Sequence, residues 1–94
     1  FTLTSGTLAR QPVVGGAVAS LMNGALDSFT LAAALEAPRG IRVNVVSPPW
    51  ILETLIALEM DPTGGIPAAD VARAYVSSIE GKQTGVVISP SRAA

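Results

Sequence analysis

The stretch from Ile41 to Ser47 limits the possible folds of this chain more than any other. It reads IRVNVVS, which is mostly apolar and β-branched, and Pro48 and Pro49 close it. β-Branched residues favour strands, and a proline cannot donate to a strand ladder. A helical pattern ends only a few residues earlier. A helix followed so soon by an apolar strand is typical of an αβ unit in a parallel sheet.

The pattern before this strand predicts a long helix over residues 17–37. Its apolar residues recur at steps of three and four, which predicts a wide buried stripe. The stripe consists of Val18, Leu21, Met22, Ala25, Phe29, Ala32 and Ala33. Pro38 ends the helix, and Arg39 with Gly40 forms the exit turn.

The remaining segments predict two further strands and two further helices. The strands are Phe1–Ser5 and Thr84–Ser89, and the helices are Glu53–Met60 and Ala68–Ile79. Pro67 opens the last helix, which carries Asp70 in its first turn and Val71, Ala72, Tyr75 and Val76 on one face. The right-handed crossover rule places three parallel strands side by side with helices on both faces. We therefore predict an α/β fold with a doubly wound parallel sheet in the order β-α-β-(α)-α-β, in one domain over residues 1–94.

Composition excludes several functions. Seven acidic side chains face six basic ones for a net charge of −1, which predicts no nucleic-acid surface and no polybasic membrane patch. Without Cys or His the chain lacks the usual ligands of zinc and transition metals, so we predict no metal site. The most apolar region, 12–37, is interrupted by Asn23, Asp27 and Glu36, which predicts no membrane span. We expect a cytoplasmic protein.

The surface chemistry predicts that the chain is part of a larger domain. Only 14% of its residues are charged and its mean hydropathy is +0.49, which leaves few charges to cover a small domain. The chain also opens on a strand pattern without an initiator Met. The alternative is a self-contained small domain that dimerises.

Residues 32–48, reading AAALEAPRGIRVNVVSP, closely resemble the segment that joins the long helix to the sixth strand in short-chain dehydrogenases/reductases. Four further stretches resemble that family: Ser5-Gly6, Ala25–Phe29, Ala69–Ala72 and Gly85–Ile88. The resemblance covers essentially the whole chain. It implies the C-terminal half of a single Rossmann-type domain whose nucleotide fingerprint lies in an N-terminal half outside this chain.

The resemblance also implies an active site with altered residues. Ser5 stands at the position of the catalytic serine, which holds the substrate carbonyl oxygen in that family. Ala19 and Asn23 occupy the positions of the family's Tyr-x-x-x-Lys, whose tyrosine supplies a proton and whose lysine lowers the phenol pKa. Alanine transfers no proton, and asparagine carries no charge but can bond a ribose hydroxyl. Tyr75 and Lys82 lie elsewhere in the sequence and do not replace the pair.

The residues after the predicted strand also depart from the family pattern Pro-Gly-x-Val/Ile-x-Thr, which meets the nicotinamide carboxamide and the diphosphate. Pro48 is retained, Pro49 replaces the glycine and lacks an N–H, and Thr54 comes one residue late. The backbone N–H of Ile51 could still meet the cofactor. Trp50 is interpreted either as a wall of the substrate or nicotinamide pocket, or as an aromatic anchor under a surface loop.

Two pairs of glycines, Gly15-Gly16 and Gly64-Gly65, precede predicted helices. Neither pair fits a dinucleotide or Walker pattern, so we interpret both as turns.

These observations leave three hypotheses for function. The first is a fragment of an NAD(P)-dependent short-chain oxidoreductase that transfers hydride to or from a small carbonyl or alcohol, inactive as this chain alone. The second is a catalytically silent NAD(P)-binding or sensing member of the same family. The third is a structural module that dimerises. The resemblance favours NADP slightly over NAD, a small-molecule substrate, and a homo-oligomer formed through helix 17–37.

Overall fold

The computed structural model describes residues 1–92, and a sheet of three parallel strands forms its centre. The strands are β1 (Thr2–Thr4), β2 (Asn44–Val46) and β3 (Val87–Ile88), in the spatial order β1-β2-β3. Leu3 pairs with Val45, which pairs with Val87 on its other side. The predicted α/β fold class and the order of three adjacent parallel strands are confirmed.

Three α-helices and one 3₁₀ turn connect and cover these strands. They are the 3₁₀ turn Thr7–Ala9, α1 (Ala17–Glu36), α2 (Leu52–Ala57) and α3 (Ala68–Glu80). Thr2, Thr4 and Asn44 bond to α3 through their side chains, so α3 covers that face of the sheet. Side chains alternate along a strand, and Val45 therefore points to the opposite face, which α1 covers.

The strands are shorter than the sequence predicted. Segment 41–47 pairs only over Asn44–Val46, because the Ile41 amide turns back to the Pro38 carbonyl and the Val43 amide bonds to the Thr84 hydroxyl. The strand predicted over residues 84–89 is reduced to Val87–Ile88. The long helix ends at Glu36, one residue before the predicted boundary.

The core is centred on the middle strand. Val45 and Val46 have no exposed surface, and Val43 retains only 6%. The other buried apolar side chains come from the connection after β2 and from α3: Leu55, Ile66, Val71 and Ala74. Because β2 is covered on both faces, two of its three residues are apolar and β-branched, and the third, Asn44, is buried as well.

The predicted buried stripe of α1 is wrong, since most of its members face solvent. Val18, Leu21, Met22 and Phe29 are each 59–71% exposed, Ala25 and Ala32 are exposed, and only Ala33 is half-buried. The sheet-facing side is built from small and polar residues, with Thr30 fully buried and bonded to the Leu26 carbonyl. A β-carbon at Gly85 would lie 3.1 Å from that of Ala34, so helix and sheet approach closely through small residues.

The predicted face of α3 is wrong in part. Val71 is buried and Tyr75 is half-buried, as predicted, but Ala72 and Val76 are exposed. The buried positions instead follow the steps from Val71 to Ala74 to Ser78, and this row includes a serine because its hydroxyl bonds to the sheet.

Within residues 1–92, α1 is the one helix long and apolar enough to cross a membrane by length and composition. No such helix was predicted from the sequence, because Asn23, Asp27 and Glu36 interrupt the apolar run. In this structure α1 packs against β1, β2 and the 3₁₀ turn.

Candidate functional site

A cleft of about 270 Å³ opens at the carboxyl ends of β1 and β2. We call it the strand-end cleft. Its lining residues are Ser5, Gly6, Thr7, Leu8, Asn23, Pro48, Pro49, Trp50, Ile51 and Thr54. Ligands of open α/β sheets bind outside the carboxyl ends of the strands, which is where this cleft lies.

Backbone hydrogen bonds set the shape of the cleft floor. The amide of Ser5 donates to the Val46 carbonyl over 2.9 Å, which continues the β1–β2 pairing beyond the strands. The amide of Thr7 donates to the Pro48 carbonyl over 3.2 Å and fixes the 3₁₀ turn beside the two prolines. Residues that follow two different strands therefore meet at one place.

The strand-end cleft brings together all but one of the site residues predicted from the sequence. Ser5, Asn23, Pro48, Pro49, Trp50, Ile51 and Thr54 line it. Ala19 is half-buried on α1, one turn before Asn23, and does not line the cleft. Both Gly15 and Gly64 adopt positive φ in turns, which confirms the interpretation of the two glycine pairs.

Ser5 takes part in a polar network that the sequence analysis did not predict. Its hydroxyl donates to Oδ1 of Asp27 over 2.5 Å, and Ser5 is only 8% exposed. The Arg10 guanidinium donates to the other carboxylate oxygen of Asp27 over 2.9 Å and to the Ser47 hydroxyl over 3.2 Å. Asp27 follows Asn23 by four residues on α1. That spacing puts both residues on the same helix face, and it could have indicated the contact.

Asn23 enters the cleft beside Gly6. A β-carbon at Gly6 would lie 3.4 Å from Nδ2 of Asn23, so a larger residue there would press on the amide. The glycine thus leaves the Asn23 side chain room at the cleft wall.

The segment after β2 forms the outer wall. The Leu52 amide donates to the Ile66 carbonyl over 2.8 Å, and the Ile66 amide donates to the Trp50 carbonyl over 3.0 Å. This pair of bonds does not use the Ile51 amide. The Trp50 side chain is 53% exposed and lines the cleft, so it has features of both interpretations offered from the sequence.

The lining of the cleft carries no charged side chain. Its polar side-chain groups are the hydroxyls of Ser5, Thr7 and Thr54, the amide of Asn23 and the indole N–H of Trp50. The charged pair Arg10–Asp27 lies behind Ser5, where it borders a separate depression with Ser28 and Ser89. The cleft therefore suits an uncharged polar group better than a phosphate. In the part of the chain that the structure describes, no three acidic side chains cluster in a way that could hold a metal ion.

Comparison with solved structures defines the class of fold. A small-chain dehydrogenase in complex with NADPH is 33% identical, with a TM-score of 0.75 over 94% of this chain and 47% of its own. The MalC reductase/Diels-Alderase from Malbranchea aurantiaca is also 33% identical, with a TM-score of 0.80 over 96% of this chain and 38% of its own. The chain thus has the fold of short-chain dehydrogenases/reductases, a family of oxidoreductases.

A higher similarity is to the protein lin1944 from Listeria innocua. The two are 46% identical with a TM-score of 0.86, over 95% of this chain and 46% of that protein's chain. The chain spans 38–47% of the length of these solved structures. No protein-family model and no curated protein matches it.

Proposed function

We propose that this chain belongs to the short-chain dehydrogenases/reductases and forms the C-terminal half of a nicotinamide-dependent oxidoreductase. The whole protein would transfer hydride between NAD(P) and a small carbonyl or alcohol. Similarity to a small-chain dehydrogenase in complex with NADPH and to a reductase supports the reaction class. The nucleotide fingerprint would lie outside this chain.

The observation that carries this proposal is the convergence of Ser5, Asn23 and Thr54 in one cleft at the strand ends. These residues come from three separate parts of the sequence, and the cleft they form is small and uncharged. The reduced nicotinamide ring and a small carbonyl substrate carry no charge at the reacting end. The chemistry of the donors fits such ligands.

The cleft residues would hold the cofactor through ordinary hydrogen bonds. The amide of Asn23 would bond a ribose hydroxyl, and the Ile51 N–H would bond the carboxamide. Pro49 has no N–H and contributes only shape. When bound, the nicotinamide supplies or accepts the hydride, while the chain orients both partners and excludes water.

A catalytically silent protein that binds or senses the cofactor is the second candidate. The observation in its favour is the identity of Ala19 and Asn23. Neither side chain can donate a proton as a tyrosine does, and neither supplies the positive charge of a lysine.

Titration of NADPH tests the first part of the proposal. The chain alone is compared with a longer polypeptide that supplies the nucleotide-binding half. We expect binding only by the longer form, and tighter binding of NADPH than of NADH. Asn23→Ala in the longer form should weaken binding, whereas Lys82→Ala, a matched exposed control, should not. Equal binding by both forms, or none by either, contradicts the proposal.

A double substitution separates the two candidates. In the longer polypeptide, Ala19→Tyr with Asn23→Lys should create or raise reductase activity if the cleft is otherwise intact. Each single substitution serves as the control, because the tyrosine and the lysine act as a unit. Substantial turnover by the unaltered protein, unchanged in the double variant, refutes the silent protein.

We also propose that copies of the chain associate through α1. Its outward face is a row of apolar residues, 59–71% exposed at Val18, Leu21, Met22 and Phe29. Contiguous apolar surface of this kind marks interaction sites.

A further inference from the structure

We infer that Asp27 holds Ser5 as a hydrogen-bond acceptor toward the strand-end cleft, so that the ligand group bound there is itself a donor, such as the hydroxyl of an alcohol. This inference rests on the proposed function only in taking the cleft as the substrate site. Asp27 is a positioning residue in this arrangement, since it acts on the ligand through Ser5.

The single proton of the Ser5 hydroxyl limits what this side chain can offer a ligand. A serine hydroxyl has one proton to donate and two lone pairs that accept. The proton of Ser5 is directed to Oδ1 of Asp27 over 2.5 Å, a short distance typical of hydrogen bonds to a carboxylate. Ser5 also lines the cleft, and what it can offer there is a lone pair.

Hydrogen bonds to both carboxylate oxygens fix the orientation of Asp27. Arg10 donates to its Oδ2 over 2.9 Å, so each carboxylate oxygen has its own donor. The Asp27 side chain is 13% exposed, and water competes little for the oxygens. Because Arg10 also bonds to the fully buried Ser47, the guanidinium is tied to the end of β2.

An amide in place of the Asp27 carboxylate would reverse the hydrogen bond with Ser5. Arginine only donates hydrogen bonds, so in the variant Asp27→Asn the oxygen of the new side-chain amide would turn toward Arg10. The NH₂ group of that amide would then face Ser5 and donate to the hydroxyl oxygen. The Ser5 proton would be released toward the cleft. The variant keeps the size of the side chain but reverses the polarity of Ser5.

Cyclohexanol and cyclohexanone test this reversal, because they share a carbon skeleton and only the alcohol can donate. Each is titrated into the full chain, and binding is followed by the NMR signals of the Trp50 indole N–H and the Asn23 amide, which both belong to the cleft. Trp50 is the only tryptophan in the sequence. We expect the unaltered chain to bind cyclohexanol about two- to tenfold more tightly, the ratio that one neutral hydrogen bond supplies.

Both variants should reduce the ratio between the affinities for cyclohexanol and cyclohexanone, one by raising the affinity for the ketone and the other by lowering the affinity for the alcohol. In Asp27→Asn the affinity for cyclohexanone should rise by about two- to tenfold, because Ser5 now donates. In Ser5→Ala the affinity for cyclohexanol should fall by a similar factor while that for cyclohexanone is unchanged. Glu36→Gln makes the same carboxylate-to-amide change at an exposed position of α1 and should leave the ratio intact.

Several outcomes would overturn the inference: equal affinities in the unaltered chain, no response of the cleft signals to either compound, or an unchanged ratio in Asp27→Asn. If that variant loses its NMR dispersion and is unfolded, Ser5→Ala alone decides. No measurement in this series uses a nucleotide, so its failure is distinct from a failure to bind NADPH.

Discussion

The side-chain amide of Asn44 donates to the hydroxyl of Ser78 over 3.1 Å, and both residues are almost completely buried. The same amide donates to the Gln83 carbonyl over 3.0 Å, and its oxygen accepts from the Val86 amide. One side chain of the middle strand thus joins α3 to the residues that precede β3. Asn44 lies in the segment 32–48, which carries the closest resemblance to short-chain dehydrogenases/reductases. In the described part of the chain, its side chain nevertheless bonds only to α3 and to the residues between α3 and β3, and it does not line the strand-end cleft.

Replacing Asn44 should destabilise the whole fold. Asn44→Ala leaves the part-buried amide of Val86 without its partner and removes two further bonds, which should lower the free energy of unfolding by about 2–4 kcal/mol. Urea denaturation measures this. Gln83→Ala is the control, since Gln83 contributes only its backbone carbonyl. Equal stability of the two variants would show that the Asn44 bonds contribute little.

Arg42 stabilises the C-terminal end of α3. Its guanidinium donates to the carbonyls of Ser78 over 2.7 Å and Ile79 over 2.8 Å, which have no partners within the helix. Arg42→Ala should lower the free energy of unfolding by about 2 kcal/mol, since hydrogen bonds from charged groups are stronger than neutral ones. Arg42→Lys should recover only part of it, because an ammonium lacks the planar fork. Lys82→Ala removes the same charge at an exposed site, and a loss as large as that of Arg42→Ala would point to net charge instead.

The two glycines Gly65 and Gly24 should respond oppositely to alanine. A β-carbon at Gly65 would lie 2.9 Å from the Cα of Leu52, a backbone atom that cannot move aside without disturbing the cleft wall. Gly65→Ala should therefore cost about 1–3 kcal/mol. Gly24 lies inside α1 with open space around it, so Gly24→Ala should stabilise by about 0.5–1 kcal/mol. Thermal unfolding followed by circular dichroism compares them, and a shift of the same sign in both would contradict the steric argument.

The apolar face of α1 should control self-association. Leu21→Glu combined with Phe29→Glu places charges on the outward face and should convert the associated form to monomer in sedimentation velocity. Val76→Glu makes the same change on an exposed position of α3 and should leave association unchanged. A chain that is monomeric at every concentration before substitution would exclude α1 as an interface.

The Asp61 turn should show a defined pH dependence. The Thr63 backbone amide donates to the Asp61 carboxylate over 2.9 Å, and this bond lowers the pKa of Asp61 below its usual value of 3.8. A lowered pKa in the folded state means that the contribution of the carboxylate is present above the usual pKa and lost as the pH falls through the lower value. An NMR titration of the carboxyl carbon should therefore give a midpoint below 3.8. In Asp61→Asn the Thr63 amide signal should no longer respond over this range, and a midpoint above 3.8 would contradict the assignment.

The sheet was predicted from the strand and helix patterns, and the cleft residues were predicted from the resemblance to short-chain dehydrogenases/reductases. Parallel strands place their carboxyl ends at one edge, so Ser5 after β1 and Pro48 to Thr54 after β2 had to meet once those strands were recognised. The partnership of Ser5 with Asp27 spans 22 residues and depends on the rotation of α1 about its axis. The four-residue spacing from Asn23 to Asp27 places these two side chains on one face of α1, but it does not specify how that face is turned toward Ser5.

The orientation of α1 was mispredicted because the spacing of apolar residues shows that they share one face of the helix. It does not show whether that face packs against the sheet or is left exposed. The row from Val18 to Phe29 has the spacing of a buried stripe, while Thr30 and Ala34 were not recognised as the side that faces the sheet. The length of β2 was overestimated because Ile41 and Val43 are β-branched and favour a strand. Their amides do not bond to a neighbouring strand, but to the Pro38 carbonyl and the Thr84 hydroxyl.

The bonds of Arg42 and Asn44 have a consequence for how the molecule opens. Both side chains belong to the stretch around β2, and both end on α3 or the residues just after it, so α3 cannot detach without exposing buried polar groups of the sheet. The amide hydrogens of α3 and β2 should therefore exchange with solvent together, as one cooperative unit. Two backbone bonds join the ends of the segment from Trp50 to Ile66, and most of its residues are exposed. This segment should therefore exchange sooner, which would let the mouth of the cleft open while the sheet stays closed.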